Sequence, residues 1–227
     1  GEAALELMCA DGDGGQEFFL TIGGAGGAQL GRLVQDELHA LLGVRAVERF
    51  GQARFFFRIE VPAEPEKLPL DRFLALCSPE KVYALVLRQA TSEIALAVSG
   101  LPEVEAEEAL AAIVAAADGW PRALATWRAF VGAACPGLDS ASLPRRFRVT
   151  GRRAGVITGH MGSIGISEIV GEALGLRFGW EVALRDFDLE VLVHVNDDML
   201  VVALPLLERT GVRQANYALP GLSQPVA

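Results

Sequence analysis

The chain has 227 residues, 51% hydrophobic and 22% charged, with 25 Gly and 11 Pro, a composition that excludes a collagen-like, low-complexity or wholly disordered protein. A formal charge of −9, from 20 Lys and Arg against 29 Asp and Glu, excludes a uniformly basic nucleic-acid binder. The charge is uneven, because residues 145–227 hold nine arginines and nine acids and residues 1–144 therefore carry the whole deficit. Two regions of different electrostatic character follow. Cys9, Cys77 and Cys135 lie 68 and 58 residues apart, which suits neither a disulfide framework nor a zinc site and points to a reducing, intracellular setting. No apolar run reaches the roughly 18 residues of a membrane span, and the first residues lack the basic start of a leader peptide. A first residue of Gly rather than Met suggests a processed or trimmed end.

Residues 17–24, EFFLTIGG, read as a buried strand, followed by a helix over 28–42 in which Leu30, Leu33, Val34, Leu38, Leu41 and Leu42 recur at helical spacing and Gly43 ends the run. RAVERF (45–50) and ARFFFRIEV (53–61) flank Gly51-Gln52 as a hairpin. A short helix over 69–77 and the strand KVYALVLRQA (81–90) complete a β-α-β-β-α-β order, the split βαβ of a ferredoxin-like unit. Residues 101–133 read as two helices broken at Asp118-Gly119, with Pro121 opening the second. Glu103, Glu105, Glu107 and Glu108 then read as a solvated, dipole-matched helix start. After a loop over 136–144 comes the strand RRFRVTGRR, a glycine-rich loop, a helix from Ser163 to Phe178, and strands EVALRD, DLEVLVHV and MLVVALPL, the last two joined by a turn at Asn196-Asp197-Asp198. The final ten residues, ALPGLSQPVA, read as an extended linker. Two sheets packed through the 101–133 helices, with Trp127 buried between them, are expected.

Most motifs that could carry chemistry fail on spacing. Gly24-Ala25-Gly26 follows a strand and precedes a helix, but Gln29 stands where a dinucleotide fingerprint needs glycine and a hairpin follows. His39, His160 and His194 have no Cys or Glu partner at ligand spacing, so no metal is expected. Asp197 and Asp198 suit a hairpin turn better than a catalytic pair. No nucleophile elbow, P-loop, kinase or zinc-protease motif is found, so no catalytic residue is assigned.

What remains is an arginine cluster: Arg145, Arg146, Arg148, Arg152 and Arg153 fall within nine residues. On a strand Arg146, Arg148 and Arg152 share one face and Arg145 and Arg153 the other. The loop beyond them, containing His160, leads into the helix opened by Ser163, whose unpaired N–H groups and positive dipole end suit a phosphate. The alternative is that these arginines pair with acids of their own sheet, such as Glu190.

FRVTGRRAG (147–155), MGSIGISEIVGEALGLRFGW (161–180) and ALRDFDLEVLVHVNDDMLVVALPL (183–206) together resemble the THUMP domain of eukaryotic RNA guanosine N2-methyltransferases, over about residues 147–222. Residues 17–90 resemble the ferredoxin-like domain that precedes THUMP in that family. Trp120 and Trp127 resemble its U6 small nuclear RNA branch rather than its transfer-RNA branch. GLSQPVA (221–227) resembles the segment that opens the family's methyltransferase domain. Met161-Gly162 stand where the family usually has an aromatic and a hydroxyl residue, and Ser223 where it has an arginine.

The resemblance implies an α+β chain: a tail over 1–16, a ferredoxin-like domain over 17–98, a THUMP domain with its preceding helices over 99–219, and a linker over 220–227 to a methyltransferase domain outside this sequence. It implies RNA recognition on behalf of that separate catalytic domain, with U6 small nuclear RNA or tRNA as the structured RNA partner and a nuclear rather than cytoplasmic setting. Arg145, Arg146, Arg148, Arg152, Arg153, His160, Ser163, Arg209 and Arg213 become the candidate RNA-binding residues. S-adenosylmethionine would belong to the full-length enzyme and no cofactor to this chain, and a small zinc-binding activator subunit would dock on the catalytic domain. No membrane partner is expected. The rival reading, favoured by the overall acidity, is a ligand-sensing or protein-interaction module that does not bind RNA.

Overall fold

The computed structural model describes residues 15–23, 27–51, 53–60, 69–98, 100–135, 138–155, 162–209 and 217–218. The first half runs β1 (Gly15–Thr21), α1 (Gly27–Leu42), β2 (Val47–Phe50), β3 (Arg54–Glu60), α2 (Leu70–Leu74), β4 (Lys81–Ala90) and α3 (Thr91–Val98). The second runs α4 (Glu103–Ala116), α5 (Trp120–Ala134), a 3-10 turn (Ser140–Ser142), β5 (Arg146–Arg153), α6 (Ser163–Phe178), β6 (Glu181–Val182), β7 (Leu189–Val195), β8 (Met199–Arg209) and β9 (Tyr217–Ala218). The expected β-α-β-β-α-β order is present, with Gly43 and Gly51 at φ 67° and 62° where helix and hairpin turn. Gly24-Ala25-Gly26 lies outside the described residues, as do Cys9, His160, Met161, Arg213 and residues 219–227.

The two halves share one mixed sheet instead of forming two. Its order is β2-β3-β1-β4-β8-β7-β5-β6, with β9 added on β8. Pairing is antiparallel from β2 through to β7 and parallel from β7 to β5 and β6. The joint is the long β4·β8 ladder, from Lys81↔Glu208 to Ala90↔Met199, closed at one end by a Lys81–Glu208 ion pair of 2.5 Å. Both strands are apolar on both faces, as interior strands are, and leaving either edge unpaired would strand a row of buried N–H and C=O groups. Pro205, without an N–H, fits inside β8 because the register shifts between Val82 and Tyr83 opposite it.

Every described helix that contributes buried side chains packs on one face of this sheet. Phe18, Leu20, Phe55, Phe57, Phe147, Val191 and Leu204 point there and meet Leu38, Phe73, Leu110, Trp127, Phe130 and Val170. Trp127 is 1% exposed, as expected, and Trp120 is fully buried, its Nε1–H donating to the Val114 carbonyl at 2.9 Å. The turn between α4 and α5 comes so close to β4 that a Cβ on Gly119 would lie 2.0 Å from the Val86 carbonyl oxygen, so only glycine fits.

On the opposite face a smaller core consists of strand residues alone: Phe19, Phe56, Tyr83, Leu85, Leu192, Met199, Val201 and Ala203. Phe19 and Phe56 stack with centroids 5.0 Å apart. No described helix covers this side. Among the described residues no helix is long and apolar enough to cross a membrane.

Candidate nucleic-acid interface

Alternation along β5 sorts the arginine cluster as the sequence suggests. Phe147 and Val149 are buried on the helix side, so Arg146, Arg148, Thr150 and Arg152 turn to the other face. Arg145 and Arg146 are exposed, and their backbone N–H groups both donate to Asp188 Oδ2 at 2.9 Å. Arg148 is committed to the fold: its guanidinium pairs with Glu190 at 3.0 Å and lies 4.2 Å from the Phe187 ring centroid, while Thr150 Oγ1 donates to the same carboxylate. The alternative of pairing within the sheet thus holds for Arg148. Arg152 is exposed beside His194 on the neighbouring strand, and no ion pair with it is found among the described residues. Arg153, also exposed, donates to the Gly155 carbonyl at 3.3 Å. Of Arg209 only the backbone is described, paired with Tyr217.

The N-terminus of α6, where the sequence suggests a phosphate, already faces a carboxylate. Glu107 of α4 is only 5% exposed, and its Oε1 accepts the Gly162 N–H at 3.0 Å. A Cβ on Gly165 would lie 2.4 Å from that carboxylate, so glycine in the first turn is what lets Glu107 in. The run of acids in α4 is therefore not wholly solvated: one member supplies the negative charge that a helix start favours. Ser163 is half-buried, and its carbonyl accepts from Ser167 Oγ at 2.8 Å.

Sequence reasoning passed over the charges on the helix-free face. Arg88 lies 4.0 Å from the Phe56 ring centroid, bonds both oxygens of Glu48 and stands 3.6 Å from Glu17. Burial raises the Glu17 carboxyl above its usual range, opposed by Arg88. His194 has a buried Nε2 with no partner among the described residues. Burial, reinforced by the charges of Arg54 and Arg152, pushes its pKa down to about 4. Arg54 is itself lowered, by burial and then by Arg152, with Asp198 opposing. Burial likewise raises the Tyr83 phenol. The legible signal was alternation: RFFFR in β3 and LEVLVHV in β7 place Arg54, Arg58 and His194 on the face opposite the main core.

Asp197 and Asp198 belong to a turn, as expected: Asn196 Oδ1 accepts the N–H groups of Asp198 and Met199 at 3.0 and 2.8 Å. Among the described residues no group of three potential metal ligands is found. A cavity of about 280 Å³ between β1, β4 and the α4–α5 turn is lined by Arg58, Arg88 and Arg122 together with Glu17 and Asp118, three cations against two carboxylates.

No family model matches the chain. It is similar to the U6 snRNA (guanine-N(2))-methyltransferase THUMPD2 of Homo sapiens, 31% identical over 81 residues, and to that of Bos taurus, 28% identical over 81 residues. Each match covers 36% of this chain and 16% of the relative, so the chain aligns with about a sixth of their length. Two solved structures share its fold. TrmN from Thermus thermophilus superposes with a TM-score of 0.50 at 21% identity over 86% of this chain and 46% of that one. SMU.472 complexed with SAH gives 0.50 at 14% identity over 86% and 42%. The sequence similarity is thus to methyltransferases whose names specify an RNA, over a third of the chain, and the shared fold covers less than half of each of the two solved structures.

Proposed function

We propose that this chain is the RNA-recognition region of an S-adenosylmethionine-dependent RNA guanine-N2-methyltransferase, with a ferredoxin-like unit over 17–98 and a THUMP unit over 99–219. The similarity to two U6 snRNA methyltransferases carries this reading. It is supported by the 2-3-1-4 antiparallel strand order of the first half, which is that of a ferredoxin-like sheet, and by the parallel β5-α6-β7 crossover of the second. U6 small nuclear RNA or tRNA is the structured RNA, read in a nuclear setting. This region itself binds no S-adenosylmethionine, and a small zinc-binding activator subunit docks on the catalytic part of the enzyme. Arg146, Arg152 and Arg153, exposed along β5, neutralise phosphates. Arg145, Arg209, Arg213, His160 and Ser163 are the further RNA-binding candidates that the resemblance implies.

Fluorescence anisotropy with a U6-derived stem bearing a single-stranded end tests the reading. Binding is expected to weaken steeply with salt, and Arg152→Ala combined with Arg153→Ala to lower the log–log slope by about one to two. No saturable binding to U6 or tRNA at 50 mM salt, about the lower end of the range where phosphate contacts dominate, would refute it.

A second reading, a protein-interaction module, is favoured by Leu176 and Leu184, which stand 82% and 79% exposed at and just beyond the end of α6. Under it, Leu176→Ser with Leu184→Ser abolishes association with a protein partner, and RNA affinity is absent in the parent chain.

A further inference from the structure

Beyond Phe18↔Ala84 the ladder between β1 and β4 stops, although Gly15–Glu17 stays paired to β3 and Leu87–Ala90 to β8. In β4 the register against β8 shifts between Leu85 and Leu87, so Val86 is an extra residue, a bulge of the kind that bends a strand. The two strands part there, and the cavity described above is the slot between them. Its volume of about 280 Å³ lies near the lower end, roughly 300 Å³, of small-ligand sites. Two struts hold its walls: Gln16 Nε2 donates to the Leu85 carbonyl at 3.0 Å, and Arg122 Nη1 to the Gly15 carbonyl at 2.7 Å.

Groups of both signs reach the slot. Glu17 and Arg58 stand opposite each other on β1 and β3. The Arg58 stem crosses Gly15 so closely that a Cβ there would lie 2.9 Å from Arg58 Cγ, and Arg122 of α5 comes to the same residue. Two exposed guanidiniums thus meet at Gly15, and no ion pair with either is found among the described residues. Arg88 bonds both oxygens of Glu48 and stands 3.6 Å from one oxygen of Glu17, whose side chain stays 21% exposed. The slot therefore has an accessible carboxylate inside and guanidinium N–H groups still unspent at its end.

We propose that the slot between β1 and β4 binds a guanine nucleotide, with the Watson–Crick edge of the base on Glu17 and the phosphate on Arg58 and Arg122. Among the four RNA bases guanine alone sets a ring N–H beside an exocyclic amino group, the two parallel donors that one carboxylate accepts. Guanidiniums offer forked donors to phosphate oxygens. Gly15 and Glu17 lie two residues apart on one face of β1, roughly 7 Å, so base edge and phosphate are held at separate points of one short groove. The source of the nucleotide, an unpaired residue of an RNA strand, rests on the function proposed above; the guanine and phosphate chemistry does not.

The test follows the backbone amides of Gln16, Leu87 and Gly119 by NMR in the full 227-residue chain. Guanosine monophosphate, inosine monophosphate, which lacks the exocyclic amine, adenosine monophosphate, guanosine and a short unpaired RNA with one guanosine are titrated in turn. Guanosine monophosphate is expected to shift these amides saturably, and the inosine and adenosine nucleotides to bind about tenfold more weakly or less. Arg58→Gln and Arg122→Gln are each expected to weaken the nucleotide about tenfold and to leave guanosine unchanged, Glu17→Gln to narrow the preference for guanine, and Arg32→Gln on α1 to do neither. Thermal melts establish that each variant is folded, and the two exposed arginines keep the test open if Glu17→Gln does not fold. A response to the RNA as well identifies a strand nucleotide, and a response to guanosine monophosphate alone a free one; either supports the site. Equal shifts with all three nucleotides, or none with guanosine monophosphate, would overturn it. If RNA binds by anisotropy while these amides do not move, the site is wrong and the RNA reading stands. If guanosine monophosphate moves them but neither U6 nor tRNA binds, the site stands and the RNA reading falls.

Discussion

Two places in this protein look alike in sequence, an arginine-rich strand end and a glycine-opened helix start, and the fold treats them in opposite ways. At α6 the positive N-terminus is met from within by Glu107, brought in over Gly165. On the far side of the sheet Arg152 stands exposed beside His194, with no ion pair to it among the described residues. A ligand anion gains little where the chain has supplied its own and more where it has not, so local charge balance, rather than arginine density, separates a structural site from a binding one.

The strongest contrast is between the two faces in stability. Trp127→Ala, on the helix side, is expected to cost about 3–5 kcal/mol, read as a lowered urea midpoint at constant slope. An unchanged midpoint would mean that the helices do not supply the main core.

A smaller effect concerns pH. The His194 pKa is depressed from an unfolded value of about 6.5 to about 4, so the unfolded chain binds more protons between these values. The contribution is complete above about pH 6.5 and is lost as pH falls toward 4. With the ring partly screened by solvent, the loss should be about 1–2 kcal/mol. Glu17, held upward by burial, acts in the opposite sense and returns some stability as it protonates. His194→Gln should flatten the pH dependence of the melting temperature over that range; an identical slope in the variant would place the acid sensitivity elsewhere.

Glu107→Gln keeps an acceptor near Gly162 but removes the charge, and is expected to cost about 1 kcal/mol. It should also let inorganic phosphate protect α6 amides from hydrogen exchange at low salt, an effect not expected in the parent chain. Protection in the parent would show that Glu107 does not close the helix start.

The smallest stability effects divide the arginines of one strand. Arg148→Ala should cost about 0.5–1 kcal/mol, the value of a partly exposed ion pair, and leave the salt slope of RNA binding unaltered. Arg152→Ala should change stability by less than about 0.5 kcal/mol and lower that slope by about one. Equal slopes in the two variants would erase the distinction between a paired and an unpaired arginine.

Much of the fold was legible because its signals are local. The β3 strand, the helix from Ser163 to Phe178 and the Asn196 turn are set by periodicity and turn chemistry and stand within a residue of where the sequence puts them, while β1 (Gly15–Thr21) begins two residues and ends three residues before the expected 17–24. The helix Thr91–Val98 follows β4 without a break in polarity and gave no signal. EVALRD shrinks to Glu181–Val182 because Leu184, 79% exposed, has nothing to pack on among the described residues. The single sheet was missed because the β4·β8 pairing joins residues more than a hundred positions apart, and its only trace is that both strands are apolar on both faces. The candidate site was half legible: RRFRVTGRR stood out, but the Glu107 plug depends on tertiary packing between α4 and the start of α6.

Cross-linking with RNA carrying 4-thiouridine, followed by peptide mass spectrometry, puts the central claim most directly to the test. The account predicts adducts within residues 54–60, 146–153 and 189–199, on the side of the sheet that bears Arg54, Arg152 and His194. Adducts confined to α1, α4 or α6, or none with U6 small nuclear RNA or tRNA, would contradict it.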